Sequence, residues 1–277
     1  MIAQLDTKVI SSFLLWIDHN IQSRGQAYMN VPIRFYPSSN QALSGTNVYT
    51  SQYKPLCNDV SISGANILSG VYLNGNYISV GQSGLTAINH YQGALYFTGK
   101  LPPNTVISGN AAIKEINVKL TNKTDWQVLF ETNYAANGTN PVLSTTGLSL
   151  DTETTPILFL RNKGMENKPF GFARLDNQTV YMRAILIADN EFQKVGVTSI
   201  LKNLNWREMP LIASTPFDSM GRMTGVNYNY DILPRDSAAT PIVLSVKVID
   251  VPQQGDYKNI MRNMAMADFE ISSVAKS

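Results

Sequence analysis

The chain is short of charge, cysteine and histidine, and it has no long apolar run. Charged residues make up 15% of its 277 residues and the formal net charge is +2, where a quarter charged is usual. Affinity for phosphate polymers scales with the cations presented, so neither nucleic acid nor a membrane surface is an expected partner. The single cysteine, Cys57, excludes an internal disulfide and any multi-cysteine zinc site; it reads as an apolar filler. The two histidines, His19 and His90, belong to no metal-ligand spacing, so no metal is expected. Glycine-rich phosphate loops and nucleophile elbows are missing too, and the reading is of a non-enzyme without cofactors. No stretch approaches the roughly 18 continuous apolar residues of a spanning helix. The chain also opens without a basic segment and apolar run, so synthesis and folding in a cytoplasm are expected.

Polarity comes instead from amides and hydroxyls, with 26 Asn among them. Asn serves tight turns because it tolerates left-handed backbone and bonds its own main chain. The clearest pattern is Gly70 to Thr98, which reads as two linked hairpins. Asn74-Gly75 suits a type I′ turn, whose twist matches that of the flanking strands. That turn sets Leu73 opposite Asn76, Tyr72 opposite Tyr77 and Val71 opposite Ile78, with the tyrosine and aliphatic pairs on opposite faces. Leu85 to Tyr91 then reverses near Gln92-Gly93 and returns through Phe97.

At the N-terminus, Asp6-Thr7 caps a helix running to about Arg24 and stopped by Gly25. Val9, Ile10, Phe13, Leu14, Ile17 and Ile21 make its apolar stripe, with Trp16 at the margin. Lys8, Ser11, Ser12, Asp18, His19 and Gln22 make the polar one, in which Leu15 is an exposed apolar interruption. Residues 26–69 read mostly as loop around Pro32, Pro37 and Pro55, with short extended pieces at Pro32 to Tyr36 and Asn47 to Tyr53. Loops this long are generally binding segments. Strands are expected at Ile113 to Leu120, Trp126 to Asn133, Pro156 to Leu160, Phe170 to Arg174, Thr179 to Ala188, Leu211 to Thr215, Val226 to Leu233, Pro241 to Val251 and Met264 to Ile271. A short helix is expected around Thr198 to Asn203. The fold class is therefore mainly β, an antiparallel hairpin-rich sandwich with an N-terminal amphipathic helix. The organisation reads as a helix arm (1–30), a first β-rich half (31–135), a linker (136–155) and a second β-rich half (156–277), the halves forming one domain or two.

The acid pairs Asp151/Glu153 and Asp189/Glu191 sit beside turns, where solvated carboxylates are the default over a glycosidase pair. Arg161 to Arg174 is basic and carries Phe170 and Phe172, but a loop running into a strand accounts for it more simply than base stacking. Three of the ten methionines fall in Met261 to Met266, where core packing is favoured over an adaptable interface.

The succession Gly70 to Gly75, Leu85 to Tyr91 and Gln92 to Phe97 resembles a double hairpin of virion structural proteins from tailed bacteriophages. It is also similar to a virion-protein group of marine, contractile-tailed phages. In that group a helix like Leu5 to Gly25 comes first, then an aromatic-proline stretch like Phe35-Tyr36-Pro37, and Ser61 to Ala65 precedes the hairpins. This chain departs from the pattern with His90-Tyr91 and Ala94 at the second turn. The resemblance implies a structural part of the virion, at the neck, collar, tail or baseplate, assembled as a symmetric homo-oligomer or ring with other virion proteins. Loops across residues 30–58 and the N-terminal helix would make the contacts, through Leu15, Trp16, Phe35, Tyr36, Tyr49 and Tyr53. The alternative is a capsid decoration or glycan-recognising β-module using Tyr72, Tyr77 and Tyr96, rings that otherwise read as packed between sheets.

Overall fold

Tight turns and period-two burial build the first sheet, and helices cover the second. The computed structural model describes residues 5–38, 46–132, 134–136, 153–170, 175–214, 216–217, 225–237, 239–251 and 263–275. The chain is mainly β and starts on a long helix, α1 (Leu5–Arg24). Seven strands follow: β1 (Tyr28–Pro37), β2 (Asn47–Ser51), β3 (Gly70–Leu73), β4 (Asn76–Ser79), β5 (Leu85–Asn89), β6 (Ala94–Phe97) and β7 (Ile107–Lys114). They form one sheet in the order β4-β3-β7-β1-β2-β6-β5, and every pairing in it is antiparallel. Both edge strands send residues, Ile78 from β4 and Leu85 and Ile88 from β5, into one apolar cluster with Phe35, Leu95 and Phe97. The sheet therefore curls around its own core.

The first hairpin has the expected register, Val71↔Ile78, Tyr72↔Tyr77 and Leu73↔Asn76. Its turn residues take φ of 47° at Asn74 and 88° at Gly75, as a type I′ turn requires. Val71 and Ile78 are buried, whereas Tyr72 and Tyr77 are 41% and 51% exposed and meet edge to face at 5.4 Å. The expectation that these two rings pack between sheets is corrected: the register puts them on the outer face.

From β7 the chain runs straight into the second sheet through β8 (Asn117–Leu120). β9 (Tyr134–Ala136) and β10 (Glu153–Thr155) make a small parallel pair. β11 (Ile157–Phe170), β12 (Leu175–Ala188), helix α2 (Glu191–Lys202), β13 (Arg207–Glu208), β14 (Ala239–Val251) and β15 (Asn263–Ala275) complete the order. The six-stranded sheet runs β13-β14-β15-β12-β11-β8, antiparallel except where β8 meets β11. Both helices join one of its faces in a single core, where Phe13 meets Phe269 edge to face at 5.0 Å. Phe13, Leu15, Ile17 and Ile21 are all completely buried, each contributing about 1.5–3 kcal/mol. The other face holds a smaller cluster of Val128, Ile157, Phe159, Ile185, Ile187 and Met264. Beside it runs a charged ladder in which Asp125 receives Arg161 and Arg183, and Arg183 also reaches Asp268.

Several expectations need correction. Leu15 is not exposed, and Ser12, Asp18, Asn20 and Gln22 are buried as well. From Ser12 to Gln22 every residue but the half-buried His19 is enclosed, and several of the polar side chains have internal partners: Ser12 Oγ accepts from the Ile212 N–H at 2.9 Å and Asp18 pairs with Lys114. The helix of the segment read as an arm thus packs into the core of the second sheet. Gly25 ends it by close approach rather than by left-handed backbone, since a Cβ there would sit 2.5 Å from the backbone Ile21 O; Gln26 carries the positive φ, 47°. Residues 28–37, read largely as loop, form a ten-residue strand. Pro32 is tolerated because, among the described residues, β7 alone pairs with β1 at that level. The expected strand over 126–133 is a helical turn, Gln127–Glu131. Thr124 and Gln127 exchange backbone-to-side-chain hydrogen bonds of 2.9 and 3.2 Å in a capping box that outweighs strand propensity. Of the expected strands at 211–215 and 226–233, the described residues show the bridges Ile212↔Arg235 and Asp59↔Tyr228. The helix expected at 198–203 begins earlier, at Glu191, because Asn190 accepts from the Gln193 N–H at 2.9 Å. Residues 137–152 of the expected linker and 171–174 of the basic segment, with Phe172, lie outside the described residues.

Candidate functional site

A groove opens where β1 outruns its neighbour. Pairing with β7 ends at Phe35↔Ile107, but β1 continues to Pro37 against β2. On the vacated side the chain bends away over Pro102-Pro103, in a turn closed by the Thr105 N–H on Pro102 O at 3.0 Å. The result is a cleft of about 460 Å³, within the roughly 300–1,000 Å³ of ligand-sized sites. Phe35, Tyr36 and Tyr49 line it, together with Leu101, Pro102 and Pro103. Tyr49 holds the wall in place: its hydroxyl accepts from the Leu101 N–H at 3.0 Å, and its ring meets Phe97 edge to face at 5.4 Å. Among the described residues, Arg34 and Lys100 are the charged members of the lining and no carboxylate joins them. The cleft is apolar with a positive rim.

Of the six residues nominated from sequence, the groove unites Phe35, Tyr36 and Tyr49. Phe35 and Tyr49 are also buried members of the first sheet's core, Tyr36 is half-buried, and Tyr53 packs against that same core outside the groove. Leu15 and Trp16 belong to the core of the second sheet and lie outside the groove. Sequence reasoning did not single out Arg34, Lys100 or the proline wall.

A second concentration of polar groups joins the two sheets. Asp18 of α1 pairs with Lys114 at the end of β7, 2.7 Å apart and both nearly inaccessible. Its neighbour His19 places Nδ1 2.9 Å from Asp59 Oδ2 and stacks on Tyr230 at 4.2 Å. Arg235 lies 4.8 Å from that tyrosine ring. Asp59 Oδ1 accepts from the Ser61 N–H and hydroxyl and from the Tyr230 N–H. Burial pushes the Asp59 carboxyl up, but these donors and His19 outweigh it and hold it below the ordinary 3.8. Because both oxygens are engaged by three separate segments, the carboxylate acts as a latch between α1, the 58–61 turn and the 228–230 segment. His90 is buried nearby, its ring nitrogens 2.9 Å from Gly225 O and 2.8 Å from Leu68 O.

The remaining chemical candidates resolve into structural pairings. Glu153 meets Lys119, Asp189 accepts from Thr155 Oγ1 at 2.7 Å, and Glu191 pairs with Lys194 at 2.9 Å. Asp151 lies outside the described residues. Among the described residues, no three His, Cys, Asp or Glu side chains gather as a metal site, and no helix is long and apolar enough to cross a membrane. No protein-family model matches the chain, and no curated protein matches it.

Proposed function

We propose that the chain is a non-enzymatic structural component of a tailed-bacteriophage virion, working at the neck, collar, tail or baseplate. It assembles as a symmetric oligomer with its own copies and with other virion proteins. The observation that carries the reading is the groove: aromatic and proline side chains line an open apolar cleft, a surface suited to receiving a protein side chain. The likeness of the double hairpin to phage virion proteins supports it further. The N-terminal helix, being internal, leaves the contacts to the groove and the surface loops. Electron cryo-microscopy of the phage particle, with this chain traced in the density, tests the reading. A particle whose density has no place for the chain sinks it.

A second reading, decoration or glycan recognition, is favoured by one observation, the exposed Tyr72–Tyr77 pair. Aromatic faces open to solvent are what a shallow sugar site requires. On a glycan array the wild-type chain would then bind, and Tyr72→Ala would not; a blank array removes this reading.

A further inference from the structure

We propose that the groove is the socket for Phe192 of a second copy of this chain, so that copies join head to tail; this rests on the oligomer reading above. Phe192 is 88% exposed, more than any other large apolar side chain among the described residues. It stands in the first turn of α2, with Val195 one turn on along the same face and also exposed. Protruding apolar groups of this kind mark association surfaces. Glu191 precedes it in the same turn and shares the Lys194 cation with Asp250 of β14, so among the described residues this corner of the helix sets two carboxylates against one cation and gives the knob a negative margin. The socket is its complement, an aromatic and proline cleft edged by Arg34 and Lys100, with no acid in its lining among the described residues.

The two surfaces are separate. The groove lies at the Ile107 end of β7, while α2 belongs to the second sheet, which the chain enters beyond Lys114. Eight residues of strand, about 25 Å, lie between the groove and the joint. One copy can therefore offer its knob to one neighbour and its groove to another. Such a contact is heterologous and propagates into a ring or a filament.

Two blocked chains test this in solution. Phe192→Asp removes the knob, and Arg34→Glu with Lys100→Glu reverses the rim; all three positions are exposed, so both variants should melt like the wild type. In sedimentation velocity the wild type should grow with concentration, and each variant alone should stay monomeric, its contact weakened more than about tenfold. Mixed, the two should form a heterodimer and nothing larger, because one knob and one socket remain intact. Oligomers that persist in either variant overturn this contact while leaving the assembly reading in place. A mixture that stays monomeric overturns it by excluding a head-to-tail joint, and a wild type that is monomeric at every concentration overturns both.

Discussion

His90 and Gly225, 135 residues apart, are tied twice: the backbone N–H and ring Nδ1 of His90 both lie 2.9 Å from Gly225 O. This bond brings the 225–230 segment, which follows the helices of the second sheet, back against the second hairpin of the first. Gly225 has φ of 78°, and a Cβ there would collide with the Asn89 side chain. Gly225→Ala should therefore destabilise the protein by about 1–3 kcal/mol through backbone strain and that clash. Urea denaturation measures it; an unchanged midpoint would show that the segment can shift at no cost.

Acid should loosen the same joint. Burial, with Lys114 adding to it, holds the His90 ring below its ordinary 6.5 against the pull of two backbone carbonyls. The unfolded chain thus takes up this proton first as pH falls, so stability drops from about pH 6.5 downward. Asp59 has the opposite chemistry and the same direction. Its depressed carboxyl stabilises the fold at neutral pH, and that contribution is lost as pH falls below the ordinary 3.8. Melting temperature against pH should decline in two stages, and His90→Gln should remove the upper one.

The Asp18–Lys114 pair is buried, and Asp18 Oδ1 has no hydrogen-bond partner among the described residues. Lys114→Met should cost about 3–5 kcal/mol by leaving a buried carboxylate uncompensated. Adding Asp18→Leu should restore most of that loss, because two apolar groups no longer need each other's charge. Additive losses in the double-mutant cycle would show that the pair is not coupled.

Cys57 is completely buried, and desolvation pushes its thiol up to about 12. The thiolate is the reactive form, so a disulfide-exchange reagent at mild alkaline pH should label the folded protein only at the rate of unfolding. Rapid labelling without denaturant would place the thiol at the surface.

The hairpin turn tests local coding. Gly75→Ala should destabilise by about 1 kcal/mol, because its φ of 88° excludes most side chains. Tyr72→Ala with Tyr77→Ala should show a coupling of about 0.2–1 kcal/mol, the range for a cross-strand pair. Chemical denaturation of the four variants measures both.

What could be read from the sequence was whatever neighbouring residues encode together. Asn74-Gly75 dictates a turn by its backbone preferences, and the turn dictates three cross-strand pairs, all present. The helix through Arg24 and most strands of the second half follow from apolar spacing in the same way. Partnership over distance was not legible. Leu15 amid Ser12, Asp18 and Gln22 looks like a solvent face until Lys114, Asp59 and Ile212 arrive from elsewhere in the chain to cover it. The groove behaves likewise. Phe35, Tyr36 and Tyr49 could be singled out as aromatic, but only the early end of β7 and the proline turn beyond it leave the space that turns three side chains into a surface. Local backbone preference is a property of consecutive residues, whereas burial and cavity shape belong to segments that meet only when the whole chain has folded.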